Sequence, residues 1–175
     1  MSESYNGYLT KNFSYPEMIK SSTADRLGIK NDATREHVIN LVNLCNFILQ
    51  PVRDEFGPIR INSGYRSFDL NKAVGGSSKS QHCRGEAADF ESSRVSNPDL
   101  AKWIEKNLDF DQLILEFYDG KNPNSGWVHC SYKNGDENRK EYLIAFRDAN
   151  GKTAYQKEYS DTTGPTSEEV NESLI

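Results

Sequence analysis

The chain has 175 residues, a length that suits one domain with or without a tail. Its 21 Lys and Arg against 26 Asp and Glu give a net charge of -5, which argues against a general nucleic-acid binder, because phosphate contacts call for a basic patch. Hydrophobic residues make up only 35%, but nine Tyr, eight Phe and two Trp each bury a large area, so a modest core is expected rather than a wholly disordered chain. No stretch approaches the roughly 20 apolar residues of a membrane span. The first residues, Met1-Ser-Glu-Ser-Tyr-Asn-Gly, lack a basic region followed by an apolar one, so no signal peptide is expected. Three cysteines form no disulfide framework and suit a reducing compartment. There are only three histidines, and two of them fall in the most patterned segments.

In chain order, Ser14-Tyr-Pro-Glu17 reads as a capping box opening a short helix that ends near Ser21. Asn31-Asp-Ala-Thr34 opens a longer one. Val38, Val42, Cys45, Leu49, Val52 and Phe56 recur every three to four residues, and Ile39, Leu41 and Ile48 widen the stripe. Pro51 predicts a kink or an early end, and Gly57-Pro58 a stop. Residues 59–62 read as a strand, and residues 63–80 as a Gly/Ser-rich loop with one helical turn near Leu70. Residues 87–90 read as a strand and 97–107 as a helix. Residues 110–117 and 126–132 read as two strands joined by a turn-rich loop. Residues 142–158 read as a terminal hairpin turning at Asn150-Gly151. Residues 160–175 are polar and acidic and read as a flexible tail. Helices first and strands later indicate an α+β fold, with N-terminal helices packed on a small, mainly antiparallel sheet. The domain is expected to span residues 1–159.

Two segments carry metal chemistry: Ser80-Gln-His82-Cys-Arg-Gly-Glu-Ala-Ala-Asp89 and Trp127-Val-His129. Two imidazoles and a carboxylate suit a tetrahedral zinc site with one open position. On residue chemistry alone this competes with a plainer reading, in which His82 and His129 are buried structural groups. Cys83 and Cys130 lie beside two of these residues and read as small core residues, since strand alternation turns Cys130 away from His129. His37 reads as a surface or core residue of the long helix.

The order of Ser63-Gly-Tyr-Arg-Ser67, Val74-Gly-Gly, Ser80-Gln-His82, Gly85-Glu-Ala-Ala-Asp89 and Trp127-Val-His129 resembles the zinc D,D-peptidases of the M15 family, which share their fold with the Hedgehog signalling domain. Phe13-Ser14, Glu17-Met, Ser21-Ser-Thr-Ala24, Asn31 and Leu49-Gln-Pro-Val-Arg53 look like its phage and prophage branch. The likeness spans about residues 9–133. It implies zinc held by His82, Asp89 and His129, and Arg66 at the substrate carbonyl or developing oxyanion. The implied reaction is metal-assisted hydrolysis of peptidoglycan stem peptides. The bond cut and the choice between carboxypeptidase and endopeptidase stay open, with Arg84 or Arg94 as cations for a substrate carboxylate. Many members carry a catalytic Glu three residues before the last His, where this chain has Gly126.

Glu116 is the expected replacement. A hairpin centred on Asn122-Pro123 would pair Glu116 with His129, and a slip by one residue would turn it to the other face. Glu86 and Asp111 are the fallback acids. Ser80 and Gln81 are expected to position substrate or to shape the loop, and Tyr65 and Trp127 to line the cleft or to pack in the core. The leading expectation is a phage-encoded wall peptidase of endolysin type, made in the host cytoplasm and acting in the wall or periplasm, free or as part of the virion. The alternative is a non-catalytic virion or tail protein that keeps the zinc and docks on the wall.

Overall fold

The computed structural model describes residues 7–158; the expected tail, residues 160–175, lies outside the described residues. Helix α1 (Tyr15–Ile19) opens as the capping box predicts, with the Ser14 hydroxyl accepting from the Glu17 amide at 3.4 Å. It ends at Ile19, because Ser21 already caps a second helix, α2 (Ser22–Leu27), by accepting from the Ala24 amide at 3.2 Å. Gly28 closes α2 with its φ at 64°. Helix α2 adds to the expected elements, framed by a serine cap and a glycine stop.

Thr34 caps α3 (Arg35–Leu44) through the His37 amide. The expected break at Pro51 takes another form. The chain passes through a π-helical segment, Cys45–Leu49, directly into α4 (Gln50–Phe56). There the Gln50 amide reaches back to the Cys45 carbonyl. This widened turn resets the hydrogen-bond ladder just before Pro51, which then sits in the first turn of α4, where its missing donor costs little. Leu41, Leu44, Cys45, Ile48, Leu49 and Val52 are fully buried. Val38, Val42 and Phe56 flank them partly buried, while Ile39 is 54% exposed.

Strands β1 (Ile59–Ser63), β2 (Ala87–Ser92), β3 (Gln112–Glu116), β4 (Trp127–Ser131), β5 (Glu141–Arg147) and β6 (Thr153–Lys157) form one sheet in the order β1-β2-β4-β3-β5-β6. Every adjacent pair is antiparallel except β3–β5, which is parallel. This is the expected α+β architecture. Two more helices, α5 (Phe68–Ala73) and α6 (Asn97–Asn107), lie in the β1–β2 and β2–β3 connections. The terminal hairpin β5–β6 turns through Gly151, whose φ is 75°.

Strand alternation gives the sheet two unlike faces. One carries Ala88, Phe90, Leu113, Leu115, Val128 and Cys130 into the main core, where Leu100, Ala101 and Ile104 of α6 and the buried stripe of α3–α4 meet them. The other carries a small cluster of Ile114, Leu143 and Ala145, with Tyr155 against it. Asp89, Glu116 and His129 belong by alternation to this second face. Fully buried Phe90 keys the helix layer to the sheet. Phe90→Ala should lower the unfolding free energy by about 3–5 kcal/mol, measured by urea denaturation.

Candidate metal centre

His82 lies in a short 3-10 turn, Gln81–Arg84, whose N-terminus is capped by Ser80: the Ser80 hydroxyl accepts from the His82 amide at 3.3 Å. The His82 ring is 2% exposed, and its Nδ1 lies 2.7 Å from the Gly64 carbonyl. A carbonyl can only accept, so Nδ1 carries the proton and Nε2 keeps its lone pair. Asp89 and His129 sit directly opposite each other on β2 and β4. Asp89 Oδ1 is 2.9 Å from His129 Nδ1 and 3.4 Å from His82 Nε2. One ligand atom from each of the three residues lies within 4.8 Å of the others. Zinc bonds of about 2.0–2.1 Å at tetrahedral angles put ligand atoms about 3.3 Å apart. Two imidazoles and a carboxylate at the observed spacing therefore fit a tetrahedral zinc that keeps one position open.

The charge states suit a cation as well. Burial pushes the His82 pKa down and so favours the neutral ring. For Asp89 burial acts upward, but the two imidazoles of His82 and His129 beside it outweigh burial and hold the carboxyl well below its usual range. A neutral imidazole and an ionised carboxylate are the forms that bind metal.

The Ser63-Gly-Tyr-Arg-Ser67 segment supports this centre chiefly through its backbone. The Asn31 side chain donates to the Ile19 and Tyr65 carbonyls and accepts from the Ser67 amide. The Tyr65 amide donates to the Met18 carbonyl at 2.8 Å. Gly64 is required because a Cβ there would collide with that same Met18 carbonyl oxygen. The Arg66 amide donates to the His82 carbonyl at 3.1 Å, and its buried Nε has no partner among the described residues. The Arg66 charge acts on both His82 and Glu116.

The four expected substrate contacts divide. Trp127 is half-buried, with its ring centroid 5.5 Å from that of Phe117 and its buried Nε1 unpartnered among the described residues. Of the two readings of Tyr65, the structure favours core packing. Its ring is 6% exposed within the main core, and its hydroxyl lies 3.4 Å from His37 Nδ1. Ser80 is occupied as a cap. Gln81 donates to Asp111 Oδ2 at 2.9 Å and to Glu86, which ties the His82 turn to the start of β3.

The expected pairing of Glu116 with His129 is corrected by two positions: Ile114 faces His129, and Glu116 faces Trp127. A shift of two keeps the face, so Glu116 stays on the side of the sheet that carries His129, diagonal to it. The cause is the geometry of the loop ends, where Phe117 and Gly126 adopt φ values of 52° and 68°. Buried Asn97 of α6 secures this end by donating to the Ser125 and Gly126 carbonyls. Gly126 itself admits no side chain, since a Cβ would run into the Glu116 carbonyl oxygen. The absent family glutamate thus has a steric reason here. Burial raises the Glu116 pKa to about 7, against the opposing pull of the His129 charge.

The fallback acids are engaged elsewhere. Asp111 is fully buried and takes a two-pronged contact from Arg139 at 2.9 and 2.8 Å. Glu86 pairs with Arg84 at 3.0 Å. Cys45, Cys83 and Cys130 are free thiols; Cys45 and Cys130 are fully buried in the core, while Cys83 is only half-buried. A concavity of about 450 Å³ opens beside Arg60, Glu91 and Asn124 and contains none of the three metal-binding side chains.

Fold and centre together place a candidate metal site of two histidines and an aspartate on the second face of an α+β sheet. The peptidase M15 family pattern matches residues 11–131, and the chain belongs to that family. It is similar to the zinc D-Ala-D-Ala carboxypeptidase of Streptomyces albus G, with 34% identity over 113 residues, 63% of this chain and 43% of the relative. The chain thus spans less than half the length of that curated relative. Zinc is the metal that the family and the donor set call for.

Two outcomes are expected. Gly126→Ala should misfold or melt far below wild type, read by circular dichroism. A raised Glu116 pKa means that the folded chain holds this proton more tightly than the unfolded chain does. The penalty for ionising Glu116 is therefore absent below about pH 4.5, grows towards pH 7 and is full above it. Metal-free Glu116→Gln should match wild-type Tm at pH 4 and exceed it by a few degrees at pH 8, read by calorimetry.

Proposed function

We propose that this chain is a zinc-dependent peptidase that hydrolyses peptide bonds in peptidoglycan stem peptides, in the manner of a D-Ala-D-Ala carboxypeptidase. The observation that carries this reading is the convergence of His82 and His129 on one oxygen of Asp89, in a chain of the M15 family. Held by these three residues, zinc would supply Lewis-acid charge beside the scissile carbonyl and the attacking water.

The chain's own groups then have separate tasks. The Gly64 carbonyl holds the His82 Nδ1 proton and fixes the ring that presents Nε2. Arg66 places a fixed positive charge where the carbonyl oxygen gains negative charge. Glu116 takes a proton at its carboxylate from the attacking water and returns it to the leaving amine. A carboxyl whose pKa lies near 7 can do both at neutral pH. Trp127 offers its ring and its Nε1 donor to the substrate. Ser80 and Gln81 act indirectly, by holding the turn that carries His82. Residues 1–159 are taken as one catalytic domain. The phage and endolysin assignment, with delivery to the wall free or on a particle, is part of the same proposal. Its support is the run of motifs from Phe13 to Arg53.

The rival reading, a non-catalytic virion or tail protein that docks on the wall with its zinc retained, draws on Gly126. Glu116 weighs against it, because a carboxyl remains on the metal-bearing face. The decisive measurement is mass spectrometry of fragments released from purified peptidoglycan. Release should stop with a chelator, return with zinc, and fall at least about 100-fold in Asp89→Ala and Glu116→Ala. One zinc per chain and retention on sacculi without any released fragment would overturn catalysis in favour of docking.

A further inference from the structure

A peptidase that removes a C-terminal residue needs a cation for the free carboxylate of its substrate. Of the two arginines that the sequence offered, Arg84 is paired with Glu86 at 3.0 Å. The guanidinium of Arg94 lies against Gly57, at the end of α4. Both guanidinium groups thus already have close neighbours.

The terminal hairpin presents a third. The parallel pairing of β3 with β5 sets Glu116 opposite Ala145, and β5–β6 pairing sets Ala145 opposite Tyr155. With Trp127 opposite Glu116 on β4, the row across this face runs Trp127, Glu116, Ala145, Tyr155. Ala145 is fully buried, and Tyr155 packs beside it. Alternation puts Arg147 on the same face, one step beyond Ala145. Its guanidinium carbon lies 4.5 Å from the centroid of the Phe117 ring, and Nη1 donates to Thr153 Oγ1 at 2.7 Å. These contacts orient the group without neutralising it. Among the described residues no carboxylate forms an ion pair with Arg147. Its charge nevertheless acts on both Glu116 and Tyr155. Arg66 Nε and Trp127 Nε1 add two buried donors without acceptors. Arg147 thus brings to the side of Glu116 a cation without an ion-pair partner among the described residues, a surrounding that an anionic ligand completes.

We infer that Arg147, with Tyr155 beside it, forms a subsite for the terminal carboxylate of the substrate and makes this site select peptides with a free C-terminus. Arg147 follows the segment that matches the family, residues 11–131, so the subsite belongs to this chain's own terminal hairpin. The inference rests on the peptidase reading and specifies its substrate class.

The test uses the zinc-loaded full chain and one N-acylated peptide ending in D-Ala-D-Ala, prepared as the free acid and as the C-terminal amide. The free acid should be cleaved with at least tenfold higher kcat/KM, in line with one charge-assisted contact. Arg147→Gln should erase that preference mainly through KM, while Arg147→Lys should keep part of it. In parallel, calorimetry measures equilibrium binding of both peptides to the metal-free protein. There the acid should bind wild type about tenfold more tightly than the amide, and Arg147→Gln should bind the two alike. Equal cleavage of acid and amide by wild type, or an unchanged preference in Arg147→Gln, overturns the subsite. If neither peptide is cleaved, the peptidase reading falls, and the binding measurement alone decides for or against the subsite.

Discussion

The hydrogen bond from His82 Nδ1 to the Gly64 carbonyl is the constraint on which the site depends. It selects the tautomer that leaves Nε2 free and aims that nitrogen at Asp89. Its own position is set by the helical layer. Tyr65 hangs from the Met18 carbonyl, Asn31 ties Ile19, Tyr65 and Ser67 together, and Gly64 approaches Met18 more closely than any other residue could. Gly85, at the end of the His82 turn, similarly presses against the His37 carbonyl of α3. The helices therefore do more than cover the sheet. They hold the turn that aims a ligand on the sheet's far side.

The same face keeps two carboxyls in opposite states. Asp89 lies between two imidazoles, one of which, His129, hydrogen-bonds to it, and it stays ionised despite burial. For Glu116 burial outweighs the attraction of nearby charges, so it titrates near 7. Separating two acids in this way allows one to hold a metal while the other exchanges protons. Asp111 shows the third environment, in which Arg139 and Gln81 take up both oxygens and leave a purely structural acid.

Gly126 links backbone strain to chemistry. Its left-handed φ and its contact with the Glu116 carbonyl exclude a side chain. A carboxyl cannot stand at that point of the chain, and the nearest one on the correct face is Glu116. Departure from the family pattern and retention of an acid are two sides of one local backbone geometry.

Much of this could be read from local signals. Ser14, Thr34 and Gly57 mark helix ends because caps act within one turn. The candidate metal ligands stood out as histidines and an aspartate in ordered motifs. The face occupied by Glu116 was also legible, since alternation has a period of two and survives a register shift of two. Its cross-strand partner was not, because register depends on the shape of the loop ends. For Tyr65 the sequence left cleft and core equally open, as its burial is decided by α1 and α3, distant in sequence. The π-helical passage before Pro51 and the parallel β3–β5 pairing were equally hidden. That last pairing brings Arg147 alongside Glu116. The sequence by itself determined the residue types of the candidate site, the caps at Ser14 and Thr34 and the alternation of each strand, because these are written within a few residues. Only the tertiary structure decided which strands lie side by side, and hence which cation meets which acid, because pairing is settled by contacts between segments far apart in the chain.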